Sequence, residues 1–171
     1  MASMDQFRKQ ISAAAGRTKA KLVLKHAKIV NVFTETVEEG DIAMEDGIIL
    51  GIGNYEGELE RDLKGAYVCP GFLDGHIHLE SSMVSPSEFE RMVVPHGTCA
   101  VVTDPHEIAN VAGTTGIRYM LEATKNLLLD VYFMMPSCVP STALDESGAE
   151  LHMEDLLPFY QNERVLGLAE M

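Results

Sequence analysis

The chain has 171 residues, 46% of them hydrophobic, and a formal net charge of −13. That length supports one domain, or pieces of two, with a real core. The acidic balance argues against nucleic-acid binding, because no basic patch exists to neutralise phosphates. A membrane-surface role is equally unsupported, and the longest apolar runs, such as Val131 to Met135, fall far short of a spanning helix.

The first residues are mixed and polar, without the apolar core of a secretory signal. Cys69, Cys99 and Cys138 are odd in number and widely spaced, with no C-x-x-C pair, which points to a reducing cytoplasm. Each cysteine is expected as a small buried apolar side chain.

Residues 1–20 read as an N-terminal helical arm, with a helix that starts at Met4 and ends near Gly16. Residues 21–66 read as a small antiparallel sheet, a β-sandwich segment. Its strands fall at 22–24, 29–32, 41–44 and 48–52, and Asp46-Gly47 marks a hairpin turn between apolar runs. The acidic stretch 55–62 is expected as a loop.

From residue 67 to 171 strands alternate with helices. Strands are expected at 72–78, 99–104, 131–137 and 165–171, and helices at 86–94, 114–126 and 153–161. Ser85-Pro86 is a good helix start, with a hydroxyl cap and a proline in the first turn. This α/β rhythm implies parallel βαβ units whose strands are buried on both faces.

Polar residues cluster where these strands end, and in a parallel barrel those ends converge on one mouth. In the run Asp74-Gly75-His76-Ile77-His78-Leu79-Glu80, an extended backbone sets His76 and His78 on one face and Ile77 on the other. Gly71 and Gly75 leave room for other backbone to approach. The second strand runs into Asp104-Pro105-His106-Glu107, the third into Ser137-Cys138, and the fourth finishes with Glu170.

Two histidines and a carboxylate from another strand suit a divalent metal such as zinc, manganese or iron(II), which makes a bound water more acidic. His106 and Glu107 are the candidates for moving protons. Each also has a structural reading: His106 as a loop-capping hydrogen bonder, Glu107 as a first-turn helix carboxylate, Glu170 as an exposed terminal residue. His26, His96 and His152 read as surface or satisfied histidines.

Residues 70–78 resemble the first barrel strand of the amidohydrolase superfamily. More narrowly, His78-Leu79-Glu80-Ser81-Ser82-Met83, residues 104–111, Pro136-Ser137-Cys138-Val139-Pro140 and residues 166–171 resemble its bacterial and archaeal adenine deaminase branch, in the same order and spacing. The resemblance implies an amidohydrolase-type (β/α)8 TIM barrel, first half only, preceded by the β-sandwich segment. It implies hydrolysis of adenine to hypoxanthine and ammonia at a binuclear centre of divalent metal, Mn2+ first and Fe2+ or Zn2+ next. Carried over by position, His76 and His78 bind one metal and Glu170 bridges the pair, while Glu80, His106 and Glu107 serve the substrate and its protons. The zinc fold of other base deaminases is excluded, since no P-C-x-x-C follows His78-Leu79-Glu80.

A full barrel takes about 250 residues, and roughly a hundred follow Ala66. The expectation is therefore a partial site, weakly active or inactive alone, that forms a homo-oligomer or pairs with a C-terminal half. Two other readings stand beside it: a non-catalytic fragment that assembles with such a half, and an amidohydrolase acting on another cyclic amide or amidine.

Overall fold

The computed structural model describes residues 3–170, and the chain divides into two compact units, Met1–Pro70 and Gly71–Met171. Met1 and Ala2 of the expected arm and Met171 of the expected last strand lie outside the described residues.

The first unit begins with α1 (Met4–Ala14). Ser3 starts it with a capping box: its hydroxyl accepts the Gln6 N–H at 3.2 Å, and the Gln6 carbonyl oxygen accepts the Ser3 N–H at 2.7 Å. Five strands follow, β1 (Ala20–Asn31), β2 (Thr36–Glu45), β3 (Ile48–Gly53), β4 (Gly57–Asp62) and β5 (Tyr67–Val68). They form one sheet of order β3-β2-β1-β4, with β5 also pairing with β1. Asp46 and Gly47 turn the β2–β3 hairpin with φ of 49° and 78°, the left-handed geometry a tight hairpin demands.

Two expectations fail here. The strands expected at 22–24 and 29–32 are one strand, β1, interrupted by a bulge between Leu24 and Ala27. His26 adopts φ 54° in the bulge, and its N–H is held by the Asp41 carboxylate at 3.0 Å. The extra residue resets the alternation, so that Leu24, Ala27 and Ile29 join one apolar cluster with Ile42, while Val23 packs with Ala13, Ala20 and Ala43 in another.

The stretch expected as an acidic loop contains β4, parallel to β1, so the sheet is mixed rather than wholly antiparallel. Its charged side chains stand in solvent, which an edge strand tolerates and which hides it from an apolar-pattern reading. A second sheet to complete a sandwich is not present among the described residues of this unit.

The second unit consists of β6 (Phe72–Ile77), α2 (Pro86–Val93), β7 (Thr98–Thr103), α3 (His106–Ala123), β8 (Asp130–Met135), α4 (Met153–Leu156) and β9 (Val165–Leu168). A 3-10 turn, Leu157–Gln161, extends α4. The strands are parallel, in the order β6-β7-β8-β9, each joined to the next across a helical connection. Ile117 of α3 and Phe133 and Met135 of β8 are fully buried at the centre of the core. Helix α3 starts earlier than expected and kinks at Gly113, whose φ of 59° and ψ of −144° lie outside helical geometry.

The outer strands depart from the expectation of burial on both faces. Phe72 and Leu73 on β6, and Leu166 and Leu168 on β9, are more than half exposed, because among the described residues each strand pairs on one side only. Gly71 sits where an added Cβ would lie 2.4 Å from the Cys99 sulfur, so close approach does require glycine there; Gly75 faces open space and needs no such explanation. Cys69 and Cys99 are exposed and Cys138 is half-buried, against the expected burial of all three. No described helix is long and apolar enough to cross a membrane.

Candidate metal centre

Strand β6 and the residue that follows it bring both histidines to one place. Its pleat sends Ile77 against the core and leaves His76 and His78 side by side, with ring centroids 4.8 Å apart and the rings nearly perpendicular. Their Nε2 atoms are 3.1 Å apart.

Glu170 arrives from the end of β9. The Ala169 N–H bonds the Met135 carbonyl at 2.7 Å, and the Ser137 hydroxyl donates to the Glu170 carbonyl at 2.5 Å. These two bonds hold the segment beside β8 and set the carboxylate 3.6 Å from His76 Nε2 and 3.8 Å from His78 Nε2.

The donor set fits a divalent cation. Metal–ligand bonds of about 2.0–2.2 Å place neighbouring donors roughly 3.0–3.5 Å apart in octahedral or tetrahedral arrangements, close to the observed separations. His78 offers a further sign. Its Nδ1 lies 2.9 Å from the Asp104 carbonyl oxygen; a carbonyl only accepts, so Nδ1 carries the hydrogen. The neutral ring then has its lone pair on Nε2, as a metal ligand needs.

The other expected residues gather around this triad. The His106 ring lies 4.6 Å from that of His78, centroid to centroid. Glu107 can place a carboxylate oxygen within 4.8 Å of donor atoms of His78 and His106, and the Ser81 hydroxyl donates to it at 2.5 Å. Glu80 sits in the short 3-10 turn Glu80–Ser82 and accepts the Ile108 N–H at 3.3 Å. All six sequence-derived candidates therefore share one site.

Burial raises the Glu80 carboxyl above its ordinary range, and the nearby Glu107 charge pushes the same way, against the Glu80 and Ile108 amides that bond it. Burial alone would lower the His106 imidazole. The Asp104 carboxylate bonded to it, helped by the charges of Glu107 and Glu80, outweighs that and raises it. One oxygen each of Glu80, Glu107 and Asp104, and the Thr103 hydroxyl, are buried without a protein partner. The carboxylate oxygens among them are left free of protein donors beside the histidines.

Asp104 and Ser81 are the residues that sequence reasoning left without a role. Asp104 is 1% exposed, and its carboxylate lies 3.0 Å from His106 Nδ1. The signal was present: an acid ending an apolar strand, two positions before a histidine.

The sequence pattern of the Amidohydrolase family matches residues 67–169, more than half of the chain. The chain belongs to this family. It is 58% identical to the adenine deaminase of Geobacillus kaustophilus (strain HTA426) over 162 residues, 95% of this chain and 28% of that protein. It is also 58% identical to the adenine deaminase of Bacillus pumilus (strain SAFR-032) over 167 residues, 98% of this chain and 29% of that protein. The chain thus spans less than a third of the length of these relatives. Among solved structures, a dihydroorotase superposes with a TM-score of 0.55 at 21% identity, over 88% of this chain and 42% of that one, a likeness of fold.

Proposed function

We propose that this chain carries the HxH–Glu portion of an adenine deaminase centre, in which adenine and water become hypoxanthine and ammonia. The observation that carries the reading is the convergence of His76, His78 and Glu170 in a sequence this similar to adenine deaminases. We take the last hundred residues as the first half of a barrel, since four parallel strands are half the eight that close one.

His76, His78 and Glu170 would hold the cation, with Mn2+ the first choice and Fe2+ or Zn2+ next; in the binuclear form of the site, Glu170 would bridge the two ions. Such an ion supplies Lewis-acid charge and an activated water. The reaction adds the water oxygen to the carbon bearing the amino group and expels ammonia. His106, with its raised proton affinity, is assigned to accept the water's proton and pass it to the leaving amino nitrogen. Glu80, with burial favouring its protonated form, is assigned to donate a hydrogen bond to a ring nitrogen of the base. Glu107, bonded by the Ser81 hydroxyl beside His78 and His106, is assigned to face the substrate.

The exposed outer strands β6 and β9 favour assembly with a C-terminal half, or with a second copy, over action as a lone monomer. Three free cysteines accord with a cytoplasmic setting.

The test is ammonia release from adenine with added Mn2+, by the 171-residue chain alone and mixed with the remaining C-terminal portion of the Geobacillus kaustophilus enzyme. The expected result is negligible release alone and release on mixing, abolished by His76→Ala. Release by the mixture that is unchanged in His76→Ala would contradict the reading, as would full turnover by the chain alone.

A further inference from the structure

One residue touches both working histidines. The Asp104 N–H donates to the Ile77 carbonyl at 3.1 Å, which ties the end of β7 to the end of β6. From that fixed point its carbonyl oxygen accepts from His78 Nδ1 at 2.9 Å, and its carboxylate contacts His106 Nδ1 at 3.0 Å. The residue is almost wholly buried, and so is its side chain, with 2% of its surface exposed.

Burial matters to the chemistry of both bonds. A carbonyl and an ionised carboxylate can only accept, so each imidazole must put its hydrogen on Nδ1, and the burial of Asp104 keeps water from taking the place of either acceptor. Both rings then keep Nε2 as the nitrogen with a lone pair: His78 for a cation, His106 for a proton.

We propose that Asp104 is the positioning residue of this centre, selecting the Nδ1–H tautomer of His78 through its backbone carbonyl and of His106 through its carboxylate. The proposal rests on the reading of His76, His78 and Glu170 as a metal site only for its purpose, not for its geometry. In this role Asp104 acts through the two rings. The arrangement is economical, because a single strand-end residue gives the ligand and the proton carrier the same orientation rule while the tie to Ile77 fixes their spacing.

The experiment is long-range proton–nitrogen NMR of the histidine rings in the metal-free 171-residue chain, above the titration range of the rings. His78 and His106 are expected to show hydrogen on Nδ1 alone. In Asp104→Asn the carboxamide can turn either its oxygen or its NH2 group to the ring, so His106 is expected to lose its single form and show a mixture, with His78 unchanged. An Nε2–H form of either ring in the unmodified chain overturns the proposal, and that measurement needs no variant to fold. A His106 signal in Asp104→Asn identical to that of the unmodified chain overturns the carboxylate's part. Because the spectra are taken without metal, a chain that binds no ion would defeat the functional reading and leave this result standing or falling separately.

Discussion

The Nε2 atoms of His76 and His78 lie 3.1 Å apart. His78 holds its hydrogen on Nδ1, so its Nε2 is a bare acceptor. A second bare nitrogen at that distance would repel it. A direct hydrogen bond across that gap requires His76 to carry its hydrogen on Nε2 and donate to His78.

A cation between them cannot tolerate that hydrogen, because it needs both lone pairs. Adding a diamagnetic ion such as Zn2+ should move the His76 hydrogen off Nε2 and leave His78 in its original form. Ring-nitrogen NMR follows both. A His76 ring whose signals do not change on saturation with Zn2+ would speak against shared coordination.

The β1 bulge supplies a prediction about pH. Burial pushes the Asp41 carboxyl up, but the Lys25 ammonium at 2.5 Å and the His26 N–H outweigh it and hold the group below its ordinary value. Lys25 is correspondingly raised, first by its bond to Asp41. A depressed carboxyl stabilises the fold above its unfolded pKa of about 3.9, and that stabilisation fades as pH falls through the lower folded value. Urea midpoints between pH 6 and pH 2 should decline more steeply below about pH 4 in the unmodified chain than in Asp41→Asn. Parallel declines would show that the pair is not linked to folding.

Glu90 of α2 accepts the N–H groups of both Leu128 and Leu129, the latter at 3.0 Å, and so ties down the segment leading into β8. Leu129 is buried, so the lost bond would not be fully replaced by water. Glu90→Ala should cost about 1–3 kcal/mol in urea unfolding, with a smaller loss for Glu90→Gln, which keeps an acceptor. Equal stability of all three chains would refute the anchoring role.

Gly71 and Cys99 form a steric pair, since an added Cβ at position 71 would meet the cysteine sulfur at 2.4 Å and its Cβ at 3.0 Å. Gly71→Ala should destabilise by about 1–3 kcal/mol. Adding Cys99→Ala should recover part of that loss, because the sulfur is the nearer obstacle. A double variant no more stable than Gly71→Ala would place the strain elsewhere.

Much of the second unit was legible because its strands and helices carry opposite hydrophobic periods. The β6–β9 strand positions, the Pro86 helix start and the pairing of His76 with His78 all follow from the residues. The bulge at His26 was not legible, since it depends on Asp41, which lies far along the chain and captures a backbone N–H. Strand β4 was hidden by its charges, which an edge strand can keep in water. The early start of α3 was masked by Pro105 and by the break at Gly113. Asp104 escaped notice as a site residue because half of its contribution comes from its backbone carbonyl, which no side-chain motif records.

The central claim is that His76, His78 and Glu170 form one cation site, and metal content measures it most directly. The purified 171-residue chain, saturated with Mn2+ or Zn2+ and freed of excess, should retain tightly bound ion. His76→Ala, His78→Ala and Glu170→Gln should each lose most of it while keeping the fold, as judged by circular dichroism. Equal metal content in the unmodified chain and both histidine variants would remove the pair as a metal site and contradict the account.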